Sequence, residues 1–132
     1  MNMRSVLIVN AFLATAHGLA FVLTPVFALG FYGVTLGPGE QVMGQLFGAG
    51  LLTVALMCGL GQGLANSAAL RMIGVALCIP YVVGAVVTAM ATLKAVMNVM
   101  GWLGFAIYAG LALAYALVLL SKGHTALGTV EA

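Results

Sequence analysis

Residues 5–39 read SVLIVNAFLATAHGLAFVLTPVFALGFYGVTLGPG and contain no charged side chain. An α-helix needs roughly 20 consecutive apolar residues to cross a bilayer, and this stretch is longer than that. Three more charge-free stretches follow at 41–70, 72–93 and 95–121, and each also exceeds that length. The sequence therefore predicts an integral membrane protein with four spans.

The composition of the whole chain agrees with this assignment. Of its 132 residues, 64% are hydrophobic and 5% are charged, whereas soluble domains are about 25% charged. Four Lys and Arg residues spread along the chain cannot form the basic patch that nucleic acid requires. We therefore expect a single transmembrane domain over residues 1–132, with the lipid bilayer as its surroundings and no nucleic-acid partner.

The apolar runs predict helices rather than strands. They are uninterrupted instead of alternating, and a barrel of four short strands could not close. We expect an all-α, four-helix membrane bundle. Its spans are predicted at about 5–29, 41–60, 67–93 and 99–120, with a short tail at 121–132. The first segment imitates a signal peptide, but its apolar run continues to Leu29, so we interpret it as an uncleaved span.

The positive charges predict the orientation of the bundle. With four spans, Arg4, Arg71 and Lys122 fall on one side of the membrane, and Lys94 falls on the other beside Glu40. Positively charged residues are enriched on the cytoplasmic side. Both termini are therefore expected in the cytoplasm.

One line of polar side chains runs along the first span. His17 lies at the midpoint of 5–29, and Asn10 and Thr24 lie seven residues to either side. Residues spaced by seven fall on nearly the same helix face, about 10 Å apart along the axis. Polar groups on a lipid-facing surface are costly, so this line is expected to face the other helices.

Counting from the midpoints of the spans predicts which side chains share a depth in the membrane. Three side chains on the other spans are predicted at the level of His17: Thr53, Tyr81 and Tyr108. Tyr115 is predicted at the level of Asn10. Pro80 lacks the backbone donor that the carbonyl of Ala76 needs, so the third span is expected to kink there and to offer an acceptor.

These polar groups allow two interpretations. In the first, His17 and its neighbours Asn10, Thr24, Thr53, Tyr81 and Tyr108 form a polar pocket for a lipid, a quinone or a pigment. In the second, His17 makes one interhelical hydrogen bond that sets helix packing. No metal-chelating cluster is expected, since Cys58 lies near the inner end of the second span, away from His17.

Small residues recur at intervals of four on two of the spans. The motifs are Gly44-xxx-Gly48, Ala55-xxx-Gly59-xxx-Gly63 and Ala106-xxx-Gly110-xxx-Ala114. Such spacing lets helix backbones approach closely. It is consistent either with packing inside one bundle or with association between copies.

The sequence supports no particular catalytic function. It contains no Cys-x-x-Cys redox motif, and no nucleophile with a base or pair of carboxylates lies within a span. No catalytic residue is therefore assigned, and an enzyme is unsupported.

Several features resemble the small bacterial four-span membrane proteins that are DoxX-like in the broad sense. These features are Arg4 before the first span, Pro25 near its end, the turn Phe31-Tyr32-Gly33, and the glycine-rich segment from Gly44 to Gly50. The resemblance implies a multi-pass protein of the bacterial inner membrane. It implies an accessory role and carries over no catalytic residue.

The favoured function is an accessory or scaffold subunit, in a homo-oligomer or in a larger membrane complex. The alternative is a binder or carrier of a hydrophobic small molecule whose polar end meets His17. A transporter or channel is disfavoured, because polar residues on spans two to four are sparse.

Overall fold

The computed structural model describes residues 2–65 and 67–127, except for the side chains at 67 and 122–127. Five helices make up this part of the chain: α1 (Met3–Leu23), α2 (Pro25–Phe31), α3 (Pro38–Gly61), α4 (Ser67–Leu93) and α5 (Gly101–Leu127). No strand occurs among the described residues. The four long helices α1, α3, α4 and α5 each contain a segment long and apolar enough to cross a membrane. This confirms the predicted all-α class and the presence of four helices that could span a membrane. We call these four the spanning helices, after their length and composition.

The first helix is shorter than predicted. The expected span 5–29 is interrupted at Thr24, whose backbone leaves the helical region with φ −138° and ψ 58°. Pro25 causes the break, because its ring disfavours helical geometry in the preceding residue and it has no N–H to donate. The chain restarts as α2, with Pro25 at the N-terminal position that suits proline. The side chain of Gln45 donates to the carbonyl of Val22 beside this break (3.2 Å).

Two other helix ends differ from the expected boundaries. Helix α3 begins at Pro38, three residues before the predicted start, and carries Glu40 in its first turn. Helix α5 continues to Leu127, although the fourth span was expected to end near Leu120. Gly123 lies within α5, because one glycine costs a helix only about 1 kcal/mol relative to alanine. The rest of the predicted tail, 128–132, lies outside the described residues.

Helices α1 and α3 form one closely packed antiparallel pair. Gly18 lies against the backbone of Gly48, and Leu7 lies against Gly61. As the residue number rises along α1, its contact on α3 falls, which defines the antiparallel direction. The absence of side chains at Gly18 and Gly48 allows the two backbones to meet.

Helices α4 and α5 form the second antiparallel pair. The ring of Tyr108 covers Gly84, and the side chain of Thr88 lies against Gly104. The first pair meets the second through residues of α1, α4 and α5, and the largest buried core cluster lies there. The bundle is therefore two helix pairs joined along a shared seam.

Hydrogen bonds also connect helix ends and loops at the two ends of the bundle. At one end, the N–H of Asn98 donates to the carbonyl of Tyr32 (2.8 Å), and its side-chain amide donates to the carbonyl of Phe31 (3.1 Å). Gly33, beside Asn98, has a positive φ of 78°, which glycine adopts without strain. At the other end, Arg4 donates to the carbonyl of Leu64 (3.3 Å).

Candidate functional site

Asn10 is the centre of the buried polar site. It is 1% exposed, and its amide is surrounded by side chains from the other three spanning helices. Its Nδ2 donates to the hydroxyl of Tyr115 (2.8 Å) and to the sulfur of Cys58 (3.3 Å). Its Oδ1 accepts a hydrogen bond from the hydroxyl of Tyr81 (2.6 Å). We call these four residues the polar network.

The polar network takes one residue from each spanning helix. Asn10 lies on α1, Cys58 on α3, Tyr81 on α4 and Tyr115 on α5. The Asn10 amide offers both a donor and an acceptor, so one side chain can bind partners on three helices. The network therefore joins all four helices at one depth.

Aromatic packing supports the polar network from one side. The rings of Tyr81 and Tyr115 are stacked, with centroids 6.0 Å apart and planes 7° from parallel. Tyr108 lies on the other side of Tyr81, with ring centroids 5.9 Å apart. Offset aromatic pairs at this distance are favourable beyond their buried area. The stacking holds the two hydroxyls of the network in place.

The hydrogen-bonding groups of the network satisfy one another. Within the described part of the chain, no buried side-chain nitrogen or oxygen lacks a partner. An unpaired buried polar group would be costly, whereas a fully paired one stabilises a unique packing. The interior around Asn10 is therefore a closed polar core, in which the buried nitrogen and oxygen atoms of the described side chains are paired.

His17 lies apart from this network. Its Nδ1 is 2.9 Å from the carbonyl of Leu13, one turn earlier on the same helix. The imidazole is half-buried and forms no other hydrogen bond with the described residues. Asn10, rather than His17, is thus the residue that joins the helices.

The three polar residues of the first span do not share one buried face. Asn10 is buried, His17 is half-buried and Thr24 is exposed. Thr24 marks the break before α2, and its hydroxyl donates to the carbonyl of Ala20 (3.0 Å). The expectation that all three face the other helices is wrong for Thr24, because the helix ends there.

The remaining predicted site residues fall into two groups. Tyr81 belongs to the polar network, and Tyr108 is half-buried beside it. Thr53 is exposed, and its hydroxyl donates to the carbonyl of Ala49 on its own helix (3.1 Å). Pro80 is exposed within the continuous helix α4. The predicted kink at Pro80 stays a prediction.

Tyr115 and Cys58 are the members of the network that were not expected in the site. Tyr115 was predicted at the depth of Asn10, and the hydrogen bond between them confirms that level. Cys58 was treated as a small hydrophobic residue near the inner end of its span. Its position in the sequence, which predicts a depth near that of Asn10, was the feature that could have indicated Cys58 as a member of the network. Both cysteines are free thiols.

The described residues offer little for metal binding or acid–base chemistry. No group of three His, Cys, Asp or Glu side chains within them could hold a metal ion. Outside the spans, burial raises the pKa of Tyr32 above its ordinary value, so this hydroxyl keeps its proton at neutral pH.

These observations define a class of protein: an all-helical bundle with four helices long and apolar enough to cross a membrane, joined by a buried polar network. No protein-family model matches the chain. No curated protein and no solved structure matches it at a significant level. The resemblance to DoxX-like four-span proteins stays a prediction.

Proposed function

We propose that the chain is a multi-pass protein of the inner membrane and that α1, α3, α4 and α5 cross the bilayer. Large apolar side chains lie exposed along all four helices, among them Phe12, Leu56, Met72 and Leu113. An apolar surface of this extent is suited to lipid. The orientation with both termini in the cytoplasm follows from the positive charges.

The contact between Arg4 and Leu64 supports part of this orientation. It brings Arg4 to the loop that precedes α4, so Arg4 and Arg71 lie toward the same end of the bundle. Lys94 follows α4 at the opposite end. The side chain of Lys122 lies outside the described residues.

Reporter fusions test this orientation. Green fluorescent protein fused after Ala132 should fluoresce, and alkaline phosphatase at the same position should be inactive. Fused after Lys94, the two reporters should give the opposite result. Active phosphatase after Ala132, together with fluorescence after Lys94, would contradict the orientation.

The proposed role within the membrane is that of an accessory or scaffold subunit, in a homo-oligomer or a larger complex. The observation that carries this proposal is the closed polar network, in which Asn10 satisfies the buried hydroxyls of Tyr81 and Tyr115. An interior occupied by its own hydrogen bonds supports a structural protein whose interactions take place on its outer surface.

The small-residue motifs differ in where they lie. Gly44 and Gly48 are buried against α1 and α2 and therefore serve packing within the bundle. Ala106 and Gly110 are exposed on α5, and nothing lies within 4 Å of a Cβ placed at Gly110. This outer face of α5 is compatible with close approach of another helix.

Purification in mild detergent tests the accessory role. The full chain, tagged at its C-terminus and extracted from native membranes, should be recovered as a homo-oligomer or with another membrane protein. Gly110→Leu should reduce that association at least several-fold, because a large side chain would keep another helix away from α5.

Gly50→Leu is the matched control, since Gly50 is also exposed on a spanning helix with open space around it. Its association should equal that of the wild type. A lone monomer in several mild detergents, with no partner recovered, would contradict the accessory role.

A second candidate function is binding or carrying a hydrophobic small molecule. The observation that favours it is a pair of half-buried polar groups outside the network. The Nε2 of His17 and the hydroxyl of Tyr108 form no hydrogen bond with the described residues. Such groups are suited to the polar end of a molecule that enters from the bilayer.

A further inference from the structure

The hydrogen bond of His17 defines the tautomer of its imidazole. A backbone carbonyl can only accept, so the 2.9 Å contact between Nδ1 and the carbonyl of Leu13 places the ring proton on Nδ1. In the neutral ring, Nε2 then carries a lone pair and no proton. His17 therefore presents a hydrogen-bond acceptor to its surroundings.

Tyr108 presents a hydrogen-bond donor. Its ring is held between Gly84, which it covers, and Tyr81, whose ring centroid is 5.9 Å away. Its hydroxyl has no hydrogen-bond partner among the described residues, unlike those of Tyr81 and Tyr115. A phenol hydroxyl both donates and accepts, so this group is free to do either.

The register of the helices brings these two groups to one level. Asn10 on α1 contacts Tyr115 on α5. These two helices run in opposite directions, because α1 and α4 start at the same end of the bundle and α5 is antiparallel to α4. His17 lies seven residues after Asn10, and Tyr108 lies seven residues before Tyr115. Seven residues advance a helix by about 10 Å and turn its face by only about 20°. His17 on α1 and Tyr108 on α5 therefore lie at the same level, two turns from the network.

Both groups retain some accessible surface. No buried side-chain nitrogen or oxygen among the described residues lacks a partner. Because the Nε2 of His17 and the hydroxyl of Tyr108 do lack partners, neither is fully enclosed. One level of the bundle thus has an accessible acceptor on α1 and an accessible donor on α5, with no hydrogen bond between them.

We propose that His17 and Tyr108 together bind the hydroxyl group of an apolar alcohol, such as an isoprenoid or sterol-like molecule. The hydroxyl of the alcohol donates to the Nε2 of His17, and its oxygen accepts from the hydroxyl of Tyr108. One neutral group satisfies both residues without bringing a charge into the membrane. A metal porphyrin would use only Nε2 and would leave Tyr108 unpaired. The inference deepens the ligand-binding candidate and is independent of the accessory role.

Titration of the purified full chain with farnesol tests the inference, and farnesyl methyl ether serves as the matched ligand. The ether keeps the chain and the oxygen but cannot donate to Nε2. Binding is followed by the ¹⁵N resonance of His17 in detergent micelles, with His124→Gln present to leave a single histidine. Farnesol should shift the Nε2 resonance in a saturable manner, and the ether should bind about 3- to 15-fold more weakly.

Two variants identify the protein groups, with farnesol affinity measured by competition against a tritiated form. His17→Phe and Tyr108→Phe should each weaken farnesol binding by about 3- to 15-fold. Thr15→Val is the control, since Thr15 is exposed and its hydroxyl bonds the carbonyl of Ala11 on its own helix, and its affinity should be unchanged. The comparison of farnesol with its ether on the wild-type chain remains decisive if a variant fails to fold.

Each outcome bears on a different proposal. Equal binding of farnesol and its ether, weakened by His17→Phe, would overturn the hydroxyl assignment and leave the ligand-binding candidate standing. Absence of saturable binding of both molecules would overturn the two together. Neither result affects the accessory role, which recovery of an assembly tests.

Discussion

Asn10→Ala is expected to lower the free energy of unfolding by about 2–4 kcal/mol, which is the largest effect of any polar substitution in the bundle. The change removes the partner that the buried hydroxyl of Tyr81 has, and it leaves the hydroxyl of Tyr115 with only the 3.8 Å contact to the sulfur of Cys58. It also leaves a cavity where four helices meet. An unpaired hydroxyl inside the bundle adds a desolvation cost.

Unfolding of the purified chain in mixed micelles with increasing sodium dodecyl sulfate measures this loss. Thr53→Ala is the matched control, because Thr53 is exposed and bonds only the carbonyl of Ala49 on its own helix. Its stability should stay within about 0.5 kcal/mol of the wild type. A chain with Asn10→Ala that is as stable as the control would show that the network contributes little.

Gly48→Val is expected to prevent α1 and α3 from packing as they do and to destabilise the bundle by about 3 kcal/mol or more. A Cβ at this position would lie 2.8 Å from the carbonyl oxygen of Gly18 and 2.8 Å from the Cβ of Phe21. These neighbours are backbone and the base of a side chain, so they cannot move aside as a flexible chain end can. Gly48→Ala should show the same effect at a smaller size.

Gly50→Ala supplies the comparison for Gly48→Ala on the same helix. Nothing lies within 4 Å of a Cβ built at Gly50. Alanine is favoured over glycine in a helix by up to about 1 kcal/mol, so Gly50→Ala should be neutral or slightly stabilising. The two alanine variants are compared by the same unfolding assay. Equal stability of the two would contradict the close approach of α1 and α3.

The four spanning helices were predictable because charge is the strongest signal in this chain. Each charge-free stretch is longer than a bilayer crossing requires, and each holds most of one long helix of the structure. The break at Thr24 was not predicted, because hydropathy is continuous across Pro25 and the neighbouring residues. The local geometry of proline, rather than polarity, ends the helix there.

The break at Thr24 also explains why Tyr81 was predicted at the depth of His17. A span of 5–29 has its midpoint at residue 17, whereas the helix 3–23 has its midpoint at residue 13. Counting from the wrong midpoint paired Tyr81 with His17. In the structure Tyr81 donates to Asn10 instead. A spacing of seven residues predicts a shared helix face only where the helix continues. Thr24 lies at the end of α1 and is exposed, so it does not share the buried face of Asn10.

The members of the polar network differ in how much the sequence reveals about them. Asn10 and Tyr115 were predictable as a pair, because both are polar and share a depth. The residue type of Cys58 carries no clear signal, since a thiol in an apolar run resembles any small hydrophobic residue; only its depth, near that of Asn10, indicated the contact. Which small-residue motif lies inside the bundle also depends on helix rotation, which spacing by four does not determine.

A double-mutant cycle between Asn10 and Tyr115 tests the central claim most directly, namely that this network joins the four helices. The unfolding free energies of the wild type, Asn10→Ala, Tyr115→Phe and the double variant would be measured under one set of conditions. A coupling of about 1 kcal/mol or more between the two substitutions is the predicted result. Additive effects, within about 0.3–0.5 kcal/mol, would contradict a hydrogen bond that holds α1 to α5.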